Sequence, residues 1–361
     1  MREIGVVTWY KNGNYGGTLQ AFALMKMLQN HNYSVEFINY DSKSVFVRMI
    51  RNVAFHILYP QSALSRDRIY RMVERCFNQS PHFHQIKELE QYSQKYDAVI
   101  CGSDQIWSSL KGVDPVYFLQ FVPKSKRIAY APSIGVPQIL PEYIDDFVKY
   151  VKSIPSLSLR EKQGVDYVKM VAGIDANLVL DPTFLLNGDE WRELSSDHVL
   201  VRNGIMSQGY ILCYFLGDDD KYRAYVNDLR EKTELPVYYV SFKRKNYGSE
   251  QLICDPFEFI GLINNAAYVI TDSFHGLALS INLGVKVGVF ERFAHNDVKN
   301  QNGRVYNLLS LINSHNLMIY PHEFSERLID QTICFDEIQD AIQTLRQNSI
   351  DYLVKSIESQ G

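Results

Sequence analysis

The sequence predicts an α/β protein made of two doubly wound, Rossmann-like domains facing a cleft. Three observations predict it. Short apolar runs alternate with helical patterns from end to end, in β-α-β order, and the pattern restarts beyond a polar stretch at Leu186 to Ser207. Several strand-like runs end directly in polar, glycine-bearing turns, as strands of open parallel sheets do at their ligand-binding edge. A chain of 361 residues also exceeds what one hydrophobic core usually serves.

In chain order, Ile4 to Thr8 reads as a first strand, Leu19 to Gln29 as a helix and Val35 to Tyr40 as a second strand. Strands follow at Ala98 to Cys101, Ile128 to Ala131, Ser156 to Leu159 and Leu178 to Leu180, with helices at Tyr143 to Val151 and Lys162 to Met170. The second set of strands is Tyr210 to Leu216, Val237 to Ser241, Tyr268 to Ile270 and Val285 to Phe290. The expected division is a first domain over 1–190 with a helical insertion near 41–96 and a second domain over 205–330. A helical pattern at Asp336 to Glu358, within 331–361, is expected to pack back on the first domain.

Between Asp41 and Tyr96 no strand is evident. Ser44 to Tyr59 reads as an amphipathic helix, with Arg48, Arg51, Asn52 and His56 on one face and Phe46, Ile50, Val53, Ala54 and Ile57 on the other. Arg66, Arg68, Arg71 and Arg75 continue the basic bias. Such a helix can dock on an anionic membrane surface, or, more commonly, cover its own domain or a dimer partner. His82 and His84 are too isolated for a metal site.

Composition is that of an ordinary globular protein: 46% hydrophobic, 22% charged, formal net charge -4. That balance argues against nucleic-acid binding. The 24 Tyr and 19 Phe suit either sugar stacking or a well-packed core. Five scattered cysteines without a C-x-x-C pair suggest reduced thiols in the cytoplasm. The chain enters a strand at once, so no signal peptide is expected, and no apolar run is long enough to span a bilayer.

The segment richest in chemistry is Tyr268 to Ile281, a buried strand, a polar turn and an apolar helix. It sets His275 at a helix N-terminus on the binding edge, where anions are favoured and an imidazole can exchange protons with one. The alternative is a satisfied turn histidine. Asn12 to Gln20 is a glycine-rich turn, with Asn14, Tyr15 and Gly16 as candidate contacts. It matches no dinucleotide or P-loop fingerprint, and a tight βα connection needs glycine anyway. After the Ala98 to Cys101 strand, Ser103, Asp104 and Gln105 can bond sugar hydroxyls beside a stacking Trp107, although Asp104 can equally cap a helix. Arg160 ends another strand as a candidate anion clamp or as an ion-pair partner of Glu161. Arg292, Lys299 and Arg304 add basic groups after the last strand, and Asp218-Asp219-Asp220 reads as a solvated turn.

In register, Asn14 to Leu24, Tyr96 to Trp107, Arg127 to Gly135, Ser158 to Lys162, Leu180 to Phe184 and Thr271 to Gly276 resemble the polysaccharide pyruvyl transferase family. The resemblance implies a GT-B-like fold. It also implies transfer of pyruvate from phosphoenolpyruvate to two hydroxyls of a glycan or lipid-linked oligosaccharide, giving a cyclic ketal and phosphate. It implies a catalytic role for His275 and donor binding by Arg160, with Ser273 and Gly276 beside them. Family members with Arg-Leu-His carry an arginine where this chain has Ser273. A compensating cation is therefore expected in the cleft, Arg304 first and Arg292 second. Phosphoenolpyruvate serves as co-substrate, with no metal or other cofactor expected. The expected location is cytoplasmic, with peripheral contact at the inner face of the plasma membrane and homo-oligomerisation as further partner expectations. A nucleotide-sugar glycosyltransferase and a non-catalytic glycan-binding protein are the rival classes.

Overall fold

The computed structural model describes residues 1–41, 45–205, 209–217, 220–241, 247–320 and 323–360; for 45–51, 111 and 249 it describes the backbone alone. Two all-parallel sheets form the framework. The first orders seven strands as β3-β2-β1-β4-β5-β6-β7, with β1 Glu3–Val7, β2 Ser34–Tyr40, β3 Gln79–Phe83, β4 Ala98–Cys101, β5 Arg127–Ala129, β6 Ser156–Leu159 and β7 Asn177–Leu178. The second orders five as β12-β11-β10-β8-β9, with β8 Ile211–Phe215, β9 Val237–Ser241, β10 Tyr268–Thr271, β11 Val287–Phe290 and β12 Met318–Ile319. The central strands are buried on both faces, which is why they read as continuous apolar runs.

In each sheet the strand order reverses once, between β1 and β4 and between β8 and β10. A crevice opens beyond the carboxyl ends of the strands at such a point. The glycine-rich turn and the Gly102–Trp107 segment follow the first pair, and the His275 turn follows β10. Gly102 has φ +122, and a Cβ there would lie 1.9 Å from the Tyr130 carbonyl oxygen, so only glycine lets the β4 and β5 turns approach.

Two strands escaped the sequence pattern. β3 falls inside the stretch expected to lack one. It is a polar edge strand containing Pro81, a residue sheets tolerate at an edge, and its pairing to β2 is irregular. β12 is two residues long.

The insertion's helices, Val45–Leu58 and Pro60–Cys76, form a hairpin. Of the two covers expected for the apolar face, the protein's own domain supplies none at Val53 and Ile57. Asn52 and His56 bond across to Arg66 and Asp67 of the second helix, with His56 Nε2 3.0 Å from Asp67 Oδ2, while Val53 and Ile57 are 52% and 74% exposed. Arg48, Arg51, Phe46 and Ile50 lie outside the described side chains, as do Ser44, Asp218 and Asp219 outside the described residues.

One apolar cluster runs through both sheets' layers. Tyr15 at the start of helix Tyr15–Asn30 stacks on Phe259 of helix Pro256–Asn264, with ring centres 4.6 Å apart. The final helix, Phe335–Glu358, buries Ile338, Ile342, Leu353 and Ile357 and bonds to both halves. The Leu180 amide donates to Ser349 Oγ at 3.0 Å, Tyr352 OH donates to Ala129 O at 3.2 Å, and Arg346 Nη2 donates to Asn282 Oδ1 at 3.1 Å. Among the described residues no helix is long and apolar enough to cross a membrane.

Candidate active site

The carboxyl ends of β6, β7 and β10 bring three groups together. Arg160 follows β6, Asp181 lies three residues beyond β7, and His275 is the second residue of helix Phe274–Asn282, all of them buried. Asp181 is the hub. Its Oδ1 accepts from the Thr183 amide at 3.0 Å and from Thr183 Oγ1 at 2.8 Å. Its Oδ2 accepts from Arg160 Nη1 at 2.6 Å and faces His275 Nε2 at 3.7 Å. Burial alone would raise this carboxyl's pKa. His275, Arg160 and the Thr183 amide outweigh burial and hold it well below the usual carboxylate range.

Arg160 is fixed on its other side by Glu161, which accepts from Nε at 2.8 Å. Burial opposes its charge, but the Glu161, Asp181 and Asp104 carboxylates raise its pKa above the ordinary arginine value. Its Nη2 is buried without a partner among the described residues. The guanidinium carbon stands 4.5 Å from the centre of the Phe274 ring, a cation–π contact.

Arg304, in helix Gly303–Leu311, reaches the same ring, 6.0 Å from its centre. Its hydrogen-bond partners are neutral. Gln301 accepts through its carbonyl at 3.3 Å and Oε1 at 3.1 Å; the Gln105 amide oxygen, turned toward it, accepts from Nη1 at 2.7 Å. Burial, then repulsion from Arg160 and Arg292, lowers its pKa to about 9. Arg292 is half-buried after β11, with a buried Nε that has no partner among the described residues. Lys299 is exposed.

Glycine is required where the two sheets' edges meet. A Cβ on Gly16 would lie 2.1 Å from His275 Nδ1, so the imidazole lies against the start of helix Tyr15–Asn30. A crevice of about 230 Å³ opens between the halves, lined on one side by Ile134–Pro137, Glu161 and Tyr167 and on the other by Glu291, His295, Arg304 and Tyr306. His275 lines neither this crevice nor the smaller void at Arg160, Asp181, Phe274 and Arg304.

Several residues that the sequence pointed to as ligand contacts do not face a ligand. Trp107 was expected as a stacking face, but it is buried against Phe118, with rings 4.8 Å apart and 7° from parallel, and Nε1 donates to Tyr117 O. Tyr15 is fully buried and donates to Cys254 O at 2.8 Å. Ser103 is fully buried, its Oγ donating to Ala131 O at 2.7 Å and lying 3.4 Å from Asp181 Oδ2. Asn14 caps its own helix by accepting from the Gly16 amide at 2.8 Å. Ser273 likewise caps the His275 helix by accepting from the Gly276 amide at 3.4 Å, so the side-chain oxygen of each is committed to a helix start. Gly276 is there for packing, since a Cβ would meet Thr271 Oγ1 at 2.6 Å. Asp104 caps no helix; it has φ +65 and acts through its charge on Arg160 and Arg304.

Sequence reasoning missed Asp181 as the hub. Its signal, Asp before Pro-Thr, is that of a capping residue and says nothing of a distant histidine. Phe274 and Gln301 had no signal beyond apolar and polar character.

The family model for polysaccharide pyruvyl transferase matches residues 14–292. The chain belongs to that family. Among curated proteins none matches it. In fold this pyruvyl transferase relative is similar to UDP-GlcNAc 2-epimerase from Methanocaldococcus jannaschii, at 12% identity and TM-score 0.56 over 91% of each chain. It is also similar to UDP-GlcNAc 2-epimerase from Neisseria meningitidis bound to UDP-GlcNAc, at 10% and 0.52 over 99% of each chain. Arabidopsis thaliana UGT89C1 complexed with UDP-L-rhamnose follows at 11% and 0.50 over 98% of each chain. The arrangement is GT-B-like, and the likeness carries the fold alone.

The Asp181 hub has a pH signature. Its folded pKa lies below its unfolded value of ~3.9, so the stability from its pairings is present above that value and is lost as pH falls through it toward the folded pKa. Asp181→Asn should therefore be less stable than the parent by about 3–5 kcal/mol at neutral pH, as expected when one partner of a buried pair is removed. In thermal melts that gap should narrow between about pH 5 and pH 3. An unchanged gap would show that Asp181 acts by shape rather than by charge.

Proposed function

We propose that the protein transfers pyruvate from phosphoenolpyruvate to two hydroxyls of a glycan, forming a ketal and releasing phosphate. The observation that carries this reading is Arg304, a buried cation with neutral hydrogen-bond partners that lines the crevice and shares a smaller void with Arg160, whose Nη2 has no partner among the described residues. A buried guanidinium without a carboxylate is costly unless an anion arrives to meet it. A phosphate or carboxylate is the anion that a planar fork receives in two parallel bonds.

In this scheme Arg304 and Arg160 Nη2 hold the donor's anionic groups, with Arg292 adding positive potential. His275 carries protons to the enol carbon and from an acceptor hydroxyl. Asp181 faces the imidazole at 3.7 Å, a carboxylate set beside the ring that carries the proton. The donor reaches His275 when the facing sheet edges part, as hinge motions between two domains allow. No metal or further cofactor enters the scheme.

The rival nucleotide-sugar reading separates cleanly, since phosphoenolpyruvate should raise the melting temperature and nucleoside diphosphates should not. Val53, Ile57, Leu58 and Leu64 are all at least half exposed on the helical hairpin, which supports peripheral attachment where a lipid-linked acceptor would sit. Co-sedimentation with vesicles containing anionic lipid should fall when Ile57 and Leu58 are replaced by serine; unchanged binding, or none at all, would remove the membrane contact.

Two substitutions test the chemistry. Arg304→Gln relieves a charge whose lowered folded pKa marks it as costing stability below about pH 9. The unliganded variant should melt no lower than the parent, lose protection by phosphoenolpyruvate, and show a KM for it raised about 10-fold or more, the worth of a charge-assisted bond. A lower melting temperature with unchanged KM would make Arg304 a structural residue. His275→Ala should fold normally and retain donor protection, while kcat falls by ~10²–10⁴. Phosphate release at the parental rate would remove His275 from the reaction.

A further inference from the structure

The residues first expected to bind the acceptor are buried, committed to caps or, for Gln105, bonded to Gln301 and Arg304, yet the interdomain crevice carries a second chemical wall that the donor scheme does not use. Glu291 follows β11, and its Oε1 accepts from Tyr306 OH at 2.6 Å. Its Oε2 faces His295 Nε2 at 3.5 Å. The two carboxylates of the crevice differ in their partners: Glu161 is neutralised by Arg160, whereas Glu291 pairs with no arginine or lysine among the described residues. Tyr167 and Tyr306 add ring surface, and Gln163 and Asn300 add amides, within the same cavity of about 230 Å³. That is room for one small ring rather than a drug-sized ligand.

The charges sort the two substrates. An anionic donor is drawn to Arg304 and repelled by Glu291. A neutral hydroxyl-bearing ring loses nothing beside a carboxylate, and donates to it a charge-assisted hydrogen bond. Tyrosine faces beside polar groups suit the mixed apolar and hydroxylated faces of a sugar.

We propose that Glu291, Tyr306 and Tyr167 form the acceptor subsite for a single hydroxylated sugar ring, and that Glu291 takes the first hydroxyl's proton. This rests on the pyruvyl transfer reading. In the addition step the acceptor oxygen bonds to C2 of the enolpyruvyl group while its proton passes to Glu291. The C2=C3 pair takes a proton at C3 from protonated His275. In the closing step the second hydroxyl oxygen bonds to C2 and its proton returns to His275. The C2–O bond to phosphate breaks, and phosphate leaves with that electron pair and the proton held by Glu291. Both side chains finish as they began, and two hydroxyl protons are accounted for by one new C–H and one protonated phosphate. Tyr306, by holding Oε1, leaves Oε2 to the substrate, which makes it a positioning residue.

The test uses the full-length protein and methyl glycosides of the common hexoses as probes, with binding read by saturation-transfer NMR and turnover by phosphate release from phosphoenolpyruvate. At least one glycoside should bind the parent, and Glu291→Ala should lose that signal about 10-fold or more. Glu291→Gln keeps the Tyr306 bond but cannot take a proton. It should hold glycoside and donor within about threefold of the parent while kcat falls by ~10²–10⁴. Tyr306→Phe should lower kcat less than Glu291→Gln does, with donor protection unchanged. Glu291→Gln turning over at the parental rate, or Glu291→Ala binding glycoside as the parent does, would overturn the proposal, as would a parent that binds no glycoside. Failure of the parent to bind phosphoenolpyruvate, with glycoside binding still lost in Glu291→Ala, would instead overturn the transfer reading and leave the sugar subsite standing.

Discussion

The arrangement depends on one buried carboxylate. Asp181 is buried, and a bare charge there would not be tolerated. It is held ionised by a guanidinium from the end of β6, an amide and hydroxyl from its own turn, and an imidazole from the other half of the molecule. The guanidinium and the Thr183 turn are in turn fixed by the carboxylate, and the imidazole faces it at 3.7 Å. Arg160 cannot rotate away without abandoning both Glu161 and Asp181, so its Nη2 is left pointing where no described protein group meets it. Removing a buried charge pair's partner commonly costs about 3–5 kcal/mol, roughly a third of a domain's stability. The cluster is therefore rigid, and its unsatisfied donor is a property of the native state rather than of a loose side chain.

Rigidity at the hub is matched by packing across the two halves. Tyr15 stacks on Phe259, and the last helix bonds to β5, to the Leu180 turn and to Asn282. Gly16 and His275 then meet at a separation that any side chain on residue 16 would prevent. The family's glycine-rich turn thus serves the histidine by absence: it makes room for the ring instead of cradling a ligand with its amides. The same logic explains why Asn14, Tyr15, Ser103 and Trp107 looked functional. They flank the reactive groups and hold them, with their own polar atoms already occupied.

Much of the fold was legible because parallel strands buried on both faces leave a strong imprint. β4, β6 and β9 match the apolar runs residue for residue. β3 was invisible because an edge strand with proline and polar residues carries no such imprint. The amphipathic helix was visible but its orientation was not, since periodicity tells which residues share a face and not which face is covered. His275, Arg160 and Arg304 could be named from their places at strand ends and helix starts. Asp181 could not be recognised as their hub, because its role is a contact between residues 94 positions apart, His275 and Asp181, that only the facing of two sheets creates. Sequence spacing encodes local geometry; it is silent about which edges will oppose.

The serine at position 273 serves its helix as a cap and carries no charge. As N-cap, Ser273 accepts from the Gly276 amide, a contact worth about 1 kcal/mol to a helix. An arginine in that position offers no acceptor and would leave that amide uncapped, gaining a cation in exchange. In this chain Arg304 of helix Gly303–Leu311 rests over Phe274, the residue next to the cap. Phe274 thereby lends both guanidinium groups the negative face of its ring, beside the carboxylates that pair with Arg160 and beside the neutral partners of Arg304. Arg160 is held by its two acids and Arg304 by neutral groups, and repulsion between the two cations adds to burial in lowering the pKa of Arg304 to about 9. A dianion between them would remove the repulsion and supply the missing partners at once. In the proposed transfer, donor binding would be favoured by relief of that repulsion as well as by the contacts it adds.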